Sequence, residues 1–332
     1  MRHFHVFILT LGFFFSPVQA QTIDFHFQLF ELDDAIADAL QPRLIDGGPT
    51  AAQTMAKMQD FVRQRRVGLE ADFNIQTASG QRAKGTSSQK TLELEDEREV
   101  TDGLQIELDP VLDASASVVD LNLAAEYAQR DGGDVKIRRL TTSSLLKVGI
   151  PALLTRWQEG DEILFLIVTA THPGPQSAPA KPNRQIFIDA AMYESDADAQ
   201  AQRDPVARVV FPSRSGQRAR NEISVPMFFE TGGGLEVHNL GYHVEVDPVI
   251  GVDGSTIDLA ASLSHGNKRG GSERLADGTR LPKVEIRTSN ASQQLTDGQS
   301  KLSAVLQTTL GGAQSAADTW KANLGVKIQT LQ

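Results

Sequence analysis

Apolar and polar residues alternate along most of this chain with the period of two that a half-buried β-strand requires. Ile23, Phe25, Phe27 and Leu29 alternate with Asp24, His26 and Gln28, and Leu104, Ile106 and Leu108 with Gln105 and Glu107. After Asp109-Pro110 interrupts the pattern, Val118 to Leu123 resumes it. Tyr242, Val244 and Val246 follow the same rule, ahead of an Asp253-Gly254 pair and then Ile257 and Leu259. Asp-Gly accommodates positive φ and predicts a tight hairpin. Pro248 has no amide to donate, which predicts a strand edge or bend. Ile163 to Val168 is apolar on both sides, so a central strand covered on both faces is expected. The period lengthens to that of a helix in Asp33 to Leu40, and again from Pro49-Thr50 through Arg66, where Met55, Met58, Phe61 and Val62 share one side. The expected fold class is mainly β (α+β).

Internal similarity organises these elements. Ser79-Gly80-Gln81-Arg82-Ala83 recurs as Ser215-Gly216-Gln217-Arg218-Ala219, 136 residues later. Glu107-Leu108-Asp109-Pro110-Val111 answers Glu245-Val246-Asp247-Pro248-Val249, and Val119-Asp120-Leu121 answers Ile257-Asp258-Leu259, both at an offset of 138. More weakly, Val135 to Arg138 lies on Val284 to Arg287, and Ile23 to Glu31 on Ile186 to Glu194. Two tandem copies of one module are therefore expected, over residues 22–173 and 184–332, joined by a Pro-rich linker at 174–183. The offset falls from 163 to 136 between the first and second matches, so about 27 residues are missing from the second copy, close to the length of the helical segment. Those helices are expected to cover one face of the sheet.

Composition narrows the chemistry. The chain of 332 residues has 32 basic and 42 acidic residues, a formal net charge of -10, and no cysteine. Disulfides, thiolate nucleophiles and cysteine-ligated metals are excluded, and an acidic surface disfavours nucleic acid. Arg2, the apolar run from Phe4 to Phe15, and small residues up to Ala20 read as a secretory signal over residues 1–20. A periplasmic or outer-membrane location is expected.

Candidate catalytic patterns fail on spacing. His238 and His243 lie near Glu236, Glu245 and Asp247, but their separation spans a turn expected at Gly241 and matches no metal motif, and Ser-Gly-Gln-Arg lacks the Gly-x-Ser-x-Gly elbow. No enzyme activity, cofactor or metal is expected. The recurring Arg82 and Arg218 are expected to pair with acids of their own copies, either Glu31 and Glu194 or Asp109 and Asp247. With Pro110 and Pro248, these are the residues expected to shape and assemble the module.

A strand ending in an acid (Phe27 to Glu31), a helix, a strand leading into Thr77 to Ala83, an Asp-Pro hairpin and an Arg-Thr segment follow one another in an order that resembles the C-terminal β domain of bacterial secretins. These are the outer-membrane channel subunits of type II and type III secretion and type IV pilus systems. Thr288 and Leu295 to Gln299 are similar to the family's segment after the hairpin, and Ile163 to Ala170 to its last membrane-proximal strand. The family's gate and lip series, Gly-Gly-Leu followed by Val-Pro, Ile-Pro and Leu-Phe, does not occur in that order: Gly233-Gly234-Leu235 follows Val225-Pro226. The resemblance implies an exported protein without enzymatic activity that works as a homo-oligomer or beside secretion-system components, with outer-membrane association. The alternative expectation is a soluble periplasmic or extracellular β-rich module without channel activity.

Overall fold

A computed structural model describes residues 21–87, 91–93, 99–131, 134–177, 183–193, 198, 205–231, 234–274, 280–298, 300–310 and 313–331. The expected signal (1–20), Glu194 and half of the linker (178–182) lie outside the described residues. The first copy contains β1 (Thr22–Leu32), α1 (Asp34–Asp46), α2 (Gly48–Arg63), β2 (Gly68–Ala78), β3 (Ala83–Thr86), β4 (Thr91–Glu93), β5 (Glu99–Thr101), β6 (Gly103–Leu112), β7 (Val118–Asp131), β8 (Asp134–Lys147), β9 (Ala152–Glu159) and β10 (Glu162–Thr171). The second contains β11 (Asn183–Tyr193), β12 (Ala207–Ser213), β13 (Ala219–Thr231), β14 (Gly234–Ile250), β15 (Thr256–Arg274), β16 (Arg280–Thr296), β17 (Ser300–Leu310) and β18 (Ala313–Leu331). The protein is mainly β, with β4 and β5 forming a separate two-stranded sheet.

All other strands join one antiparallel sheet in the order β2-β1-β10-β9-β12-β11-β18-β17-β16-β15-β14-β13-β8-β7-β6-β3. The sheet folds back on itself. Phe25, Phe27 and Leu29 of β1, Trp157 of β9 and Ile188 of β11 share one core with Ile106 of β6, Leu121 of β7, Val244 of β14 and Leu263 of β15. One layer is thus β2-β1-β10-β9 continued by β12-β11-β18-β17. The facing layer is β3-β6-β7-β8 continued by β13-β14-β15-β16. Alternation drives this arrangement, because each strand sends every second side chain into the shared core.

Register repeats at the offsets of the sequence matches. Phe27 stands opposite Phe73 and Ala190 opposite Val209, which are matched positions at offsets of 163 and 136. Val119 stands opposite Leu146 and Ile257 opposite Leu295, which places β8 on β16 at an offset of 149. Even an irregularity recurs. The pairing of β9 with β10 skips Leu154, and that of β17 with β18 skips Ser303, again 149 residues on. An extra residue bends a strand locally, so a shared bulge marks a shared backbone path rather than similar composition.

The helices occupy the outer face of the first layer. Asp33 caps α1 by accepting the Ile36 amide at 2.8 Å. Leu40 and Leu44 of α1 and Met55 and Met58 of α2 pack on Phe30, Ile163, Phe165 and Ile167. This explains why β10 is apolar on both sides: Leu164, Leu166 and Val168 face the inner core while the residues between them face the helices. Most of the corresponding segment of the second copy lies outside the described residues.

Two expectations from sequence need correction. Asp109-Pro110 does not interrupt a strand, since β6 runs through it and Pro110 stands opposite Leu121. The missing amide falls beyond the end of β3, on the side where the Pro110 carbonyl accepts the Gly80 amide at 2.7 Å. Pro248 in β14 is placed in the same way, its carbonyl accepting the Gly216 amide at 2.8 Å. Gly241 likewise makes no turn, but sits within β14 opposite Ser224.

Candidate functional site: the junction between the copies

The residues singled out by repetition build one turn twice. In the first copy the Ser79 hydroxyl accepts the Leu112 amide at 2.9 Å, and in the second Ser215 accepts the Ile250 amide at 2.9 Å. Gly80 and Gly216 adopt φ of 77° and 75°, a region that favours glycine. Gln81 and Gln217 close the turns by donating to Ala78 and Arg214. The Ser-Gly-Gln-Arg signature therefore ties the turn after β2 or β12 to the end of β6 or β14, across the mouth of the sandwich.

The arginines of this motif pair within their own copies. Arg82 lies 3.2 Å from Glu107, and Arg218 lies 3.2 Å from Glu245 and 3.0 Å from Asp247. The sequence offered Glu31 or Asp109 as the partner of Arg82; the observed partner, Glu107, is two residues before Asp109 on the same outward face of β6. Glu31 is not its partner. It is exposed at the far end of β1, opposite Gly68, where its charge adds to burial in raising the Glu70 carboxyl above its ordinary range. The arginine pairs are exposed, so water screens them and they contribute little to stability.

What sequence reasoning did not reach is the seam. The copies join through both layers at once: β9 pairs with β12 and β8 with β13. Arg156 to Glu159 oppose Val210 to Ala207, and Ile137 to Thr141 oppose Ser224 to Arg220. Inside the seam, Trp157 Nε1 donates to Asn221 Oδ1 at 2.7 Å, and Asn221 Nδ2 donates to Thr155 Oγ1 at 2.9 Å. All three are fully buried. A buried indole or amide needs such partners, so this triad fixes register as well as contact.

On the outer side of the seam lies Glu222, whose side chain is 2% exposed. It accepts hydrogen bonds from Ser224 at 2.5 Å and from Arg139 Nη1 at 3.1 Å, with Arg220 at 3.2 Å and His243 at 3.4 Å beside it. Burial pushes this carboxyl upward, but the bonds from His243 and Ser224 and the charges of His243 and Arg139 outweigh burial and hold it at about 2. Arg139 belongs to the first copy and Glu222 to the second, so the ion pair crosses the seam. Adjacent to it, Gly241 has φ of 137°, and a Cβ there would come within 2.1 Å of the Ile223 carbonyl oxygen.

Helix α1 clamps the seam from above. Arg156 of β9 is fully buried beneath it and donates to Asp38 at 2.6 Å, Asp34 at 3.2 Å and Gln41 at 2.8 Å. Asp38 also lies 3.6 Å from Arg208 of β12, which holds Asp189 of β11 in a forked pair at 2.8 and 2.5 Å. Burial lowers the Arg156 guanidinium, whereas at Arg208 burial is outweighed by Asp189 together with Asp38 and Tyr193, and the group is raised. A polar cavity of about 250 Å³ between α1 and the second copy is bounded by Asp38, Asp189, Tyr193, Arg208 and Asn323.

Among the described residues no group of three His, Asp or Glu side chains could hold a metal ion, and His243 is engaged with Glu222 as above. The side chain of His238 lies outside the described residues. A scan against protein-family models finds no match, and a search of the curated proteins finds none.

Proposed function

We propose that this chain is a cell-envelope protein without enzymatic activity, resembling the secretin β domain in duplicate, that takes part in protein secretion or pilus machinery as an oligomeric component. The observation that carries this reading is the seam. The second copy is added to the first edge to edge, in both layers and in the same orientation, which is a head-to-tail contact. A contact of that type is not closed by symmetry after two units, unlike a contact between two identical patches. Among the described residues, β2 and β3 stand at the two ends of the sheet order, which leaves a leading edge of the same kind there. An edge left open in this way is a template for pairing.

A second reading, a soluble periplasmic or extracellular module, draws support from the outer face of the second layer. Gln105, Glu107 and Asp109 on β6, and Asp258, Ser262 and Ser264 on β15, alternate with the core residues and make that face polar. A strand facing lipid needs an apolar row there.

The two readings part on fractionation. The oligomeric reading expects the native protein in envelope extracts at a multiple of the chain mass, as a species that resists heating in detergent. Release of a single-chain species by mild osmotic shock would favour the second reading and end the first.

A further inference from the structure

The geometry points to a self-capped assembly surface: β16 and β17 form the docking edge for β3 and β2 of a second chain, and in the isolated chain they cover that edge by pairing with each other. This rests on the oligomeric reading above and specifies its contact. Within the chain, the first copy receives the second on residues 137–141 of β8 and 156–159 of β9. The offset of 149 carries those segments onto 286–290 of β16 and 305–308 of β17. There the same segments pair with one another, Ile286, Arg287 and Thr288 opposing Thr309, Thr308 and Gln307. In the first copy β8 and β9 are not neighbours, because β13 and β12 hold those places.

The residues at matched positions change together, as two halves of one contact would. Arg139 opposite Glu222 within the chain becomes Thr288 and Thr86 between chains, and threonines directly opposite each other suit a cross-strand pair. Trp157, Thr155 and Asn221 become Leu306, Ala304 and Gly85, so the hydrogen-bonding groups are absent from both sides at once. Trp157 opposite Val209 becomes Leu306 opposite Phe73, apolar in both cases.

The outer grooves agree. Arg218 of the second copy lines a groove of the first beside Glu107, Asp109 and Thr141. The matched groove of the second copy is lined by Glu245, Asp247 and Asn290. Arg82 of a second chain occupies the position equivalent to Arg218 there.

Because the chain has no cysteine, introduced thiols can be read without background. The full chain carrying Thr86→Cys and Thr288→Cys, treated with a short bis-maleimide, is expected to give a ladder of dimers, trimers and larger species on denaturing gels. Neither single variant gives the ladder. The full chain carrying Arg287→Cys and Thr308→Cys, cross-linked within itself before assembly, is expected to stay at single-chain mass by light scattering, while its untreated form assembles. Should either double variant fail to fold, Ser87→Cys with Arg287→Cys and Ile286→Cys with Thr309→Cys test the next rung of each pairing. Oligomers that form without an 86–288 ladder, or that form equally well from the locked variant, overturn this inference and leave the oligomeric reading standing. Single-chain mass under every condition, unlocked and in envelope extracts alike, overturns both.

Discussion

Gly241 is the residue at which the backbone leaves least freedom. Its φ of 137° and the 2.1 Å approach of an added Cβ to the Ile223 carbonyl mean that Gly241→Ala must displace β13 from β14 beside the seam. The expected cost is on the order of 3 kcal/mol, read as a lower urea midpoint with an unchanged slope. Glu222 makes a different prediction, one of pH. Its carboxyl is held at about 2 in the fold, against 4.5 for an ordinary glutamate. A depressed folded value means that the stabilisation is complete above the unfolded value and is lost as pH falls from about 4.5 towards 2, about 3 kcal/mol in all. Glu222→Gln should be less stable by a similar amount at neutral pH and should lose most of that acid limb, as measured by urea midpoints across the range. Neither residue was legible beforehand. Gly241 lies in a sequence that reads as a turn, and the partners of Glu222 come from four different strands or strand positions that only register brings together.

At the scale of the element, the repeated turn was legible because its chemistry is local. Serine, glycine and arginine within five residues carry the amide cap, the positive φ and the ion pair that the turn uses. The meaning of Asp-Pro was not legible, since proline marks an edge by the amide it lacks and nothing nearby says which edge. Ser79→Ala and Ser215→Ala should each cost about 1 kcal/mol through the lost bond to Leu112 or Ile250. The two turns share no hydrogen-bond partner, so the double variant should show nearly the sum; a large departure would argue that the turns are coupled. The clamp by α1 predicts an ordering instead. Asp38 and Asp34 are half-exposed whereas Arg156 is fully buried. Removing the arginine with Arg156→Met leaves acids that water can reach. Asp38→Ala leaves Arg156 and Arg208 short of a partner in a buried setting, and should cost more, about 3 kcal/mol, by the same urea assay.

At the scale of the molecule, short matches at shifting offsets read as a tandem duplication, and strand register repeats at the same offsets in most strands. The offsets shift because the second copy is shorter before β12 and longer in the hairpins that follow β15 and β17, while the strands between keep their register. Periodicity could establish strands and their faces. It could not establish that the sheet folds into two layers or that the copies join at both, because edge-to-edge pairing uses backbone groups, which every sequence has.

Head-to-tail assembly stands on that edge, and amide hydrogen exchange reads it directly. In protein recovered from envelope extracts, the outward amides of residues 71–74 in β2 and 84–86 in β3 are expected to be as protected as their counterparts at 207–210 and 220–222 within the chain. Leading-edge amides that exchange freely in that native form, while the internal seam stays protected, would contradict head-to-tail assembly through these strands.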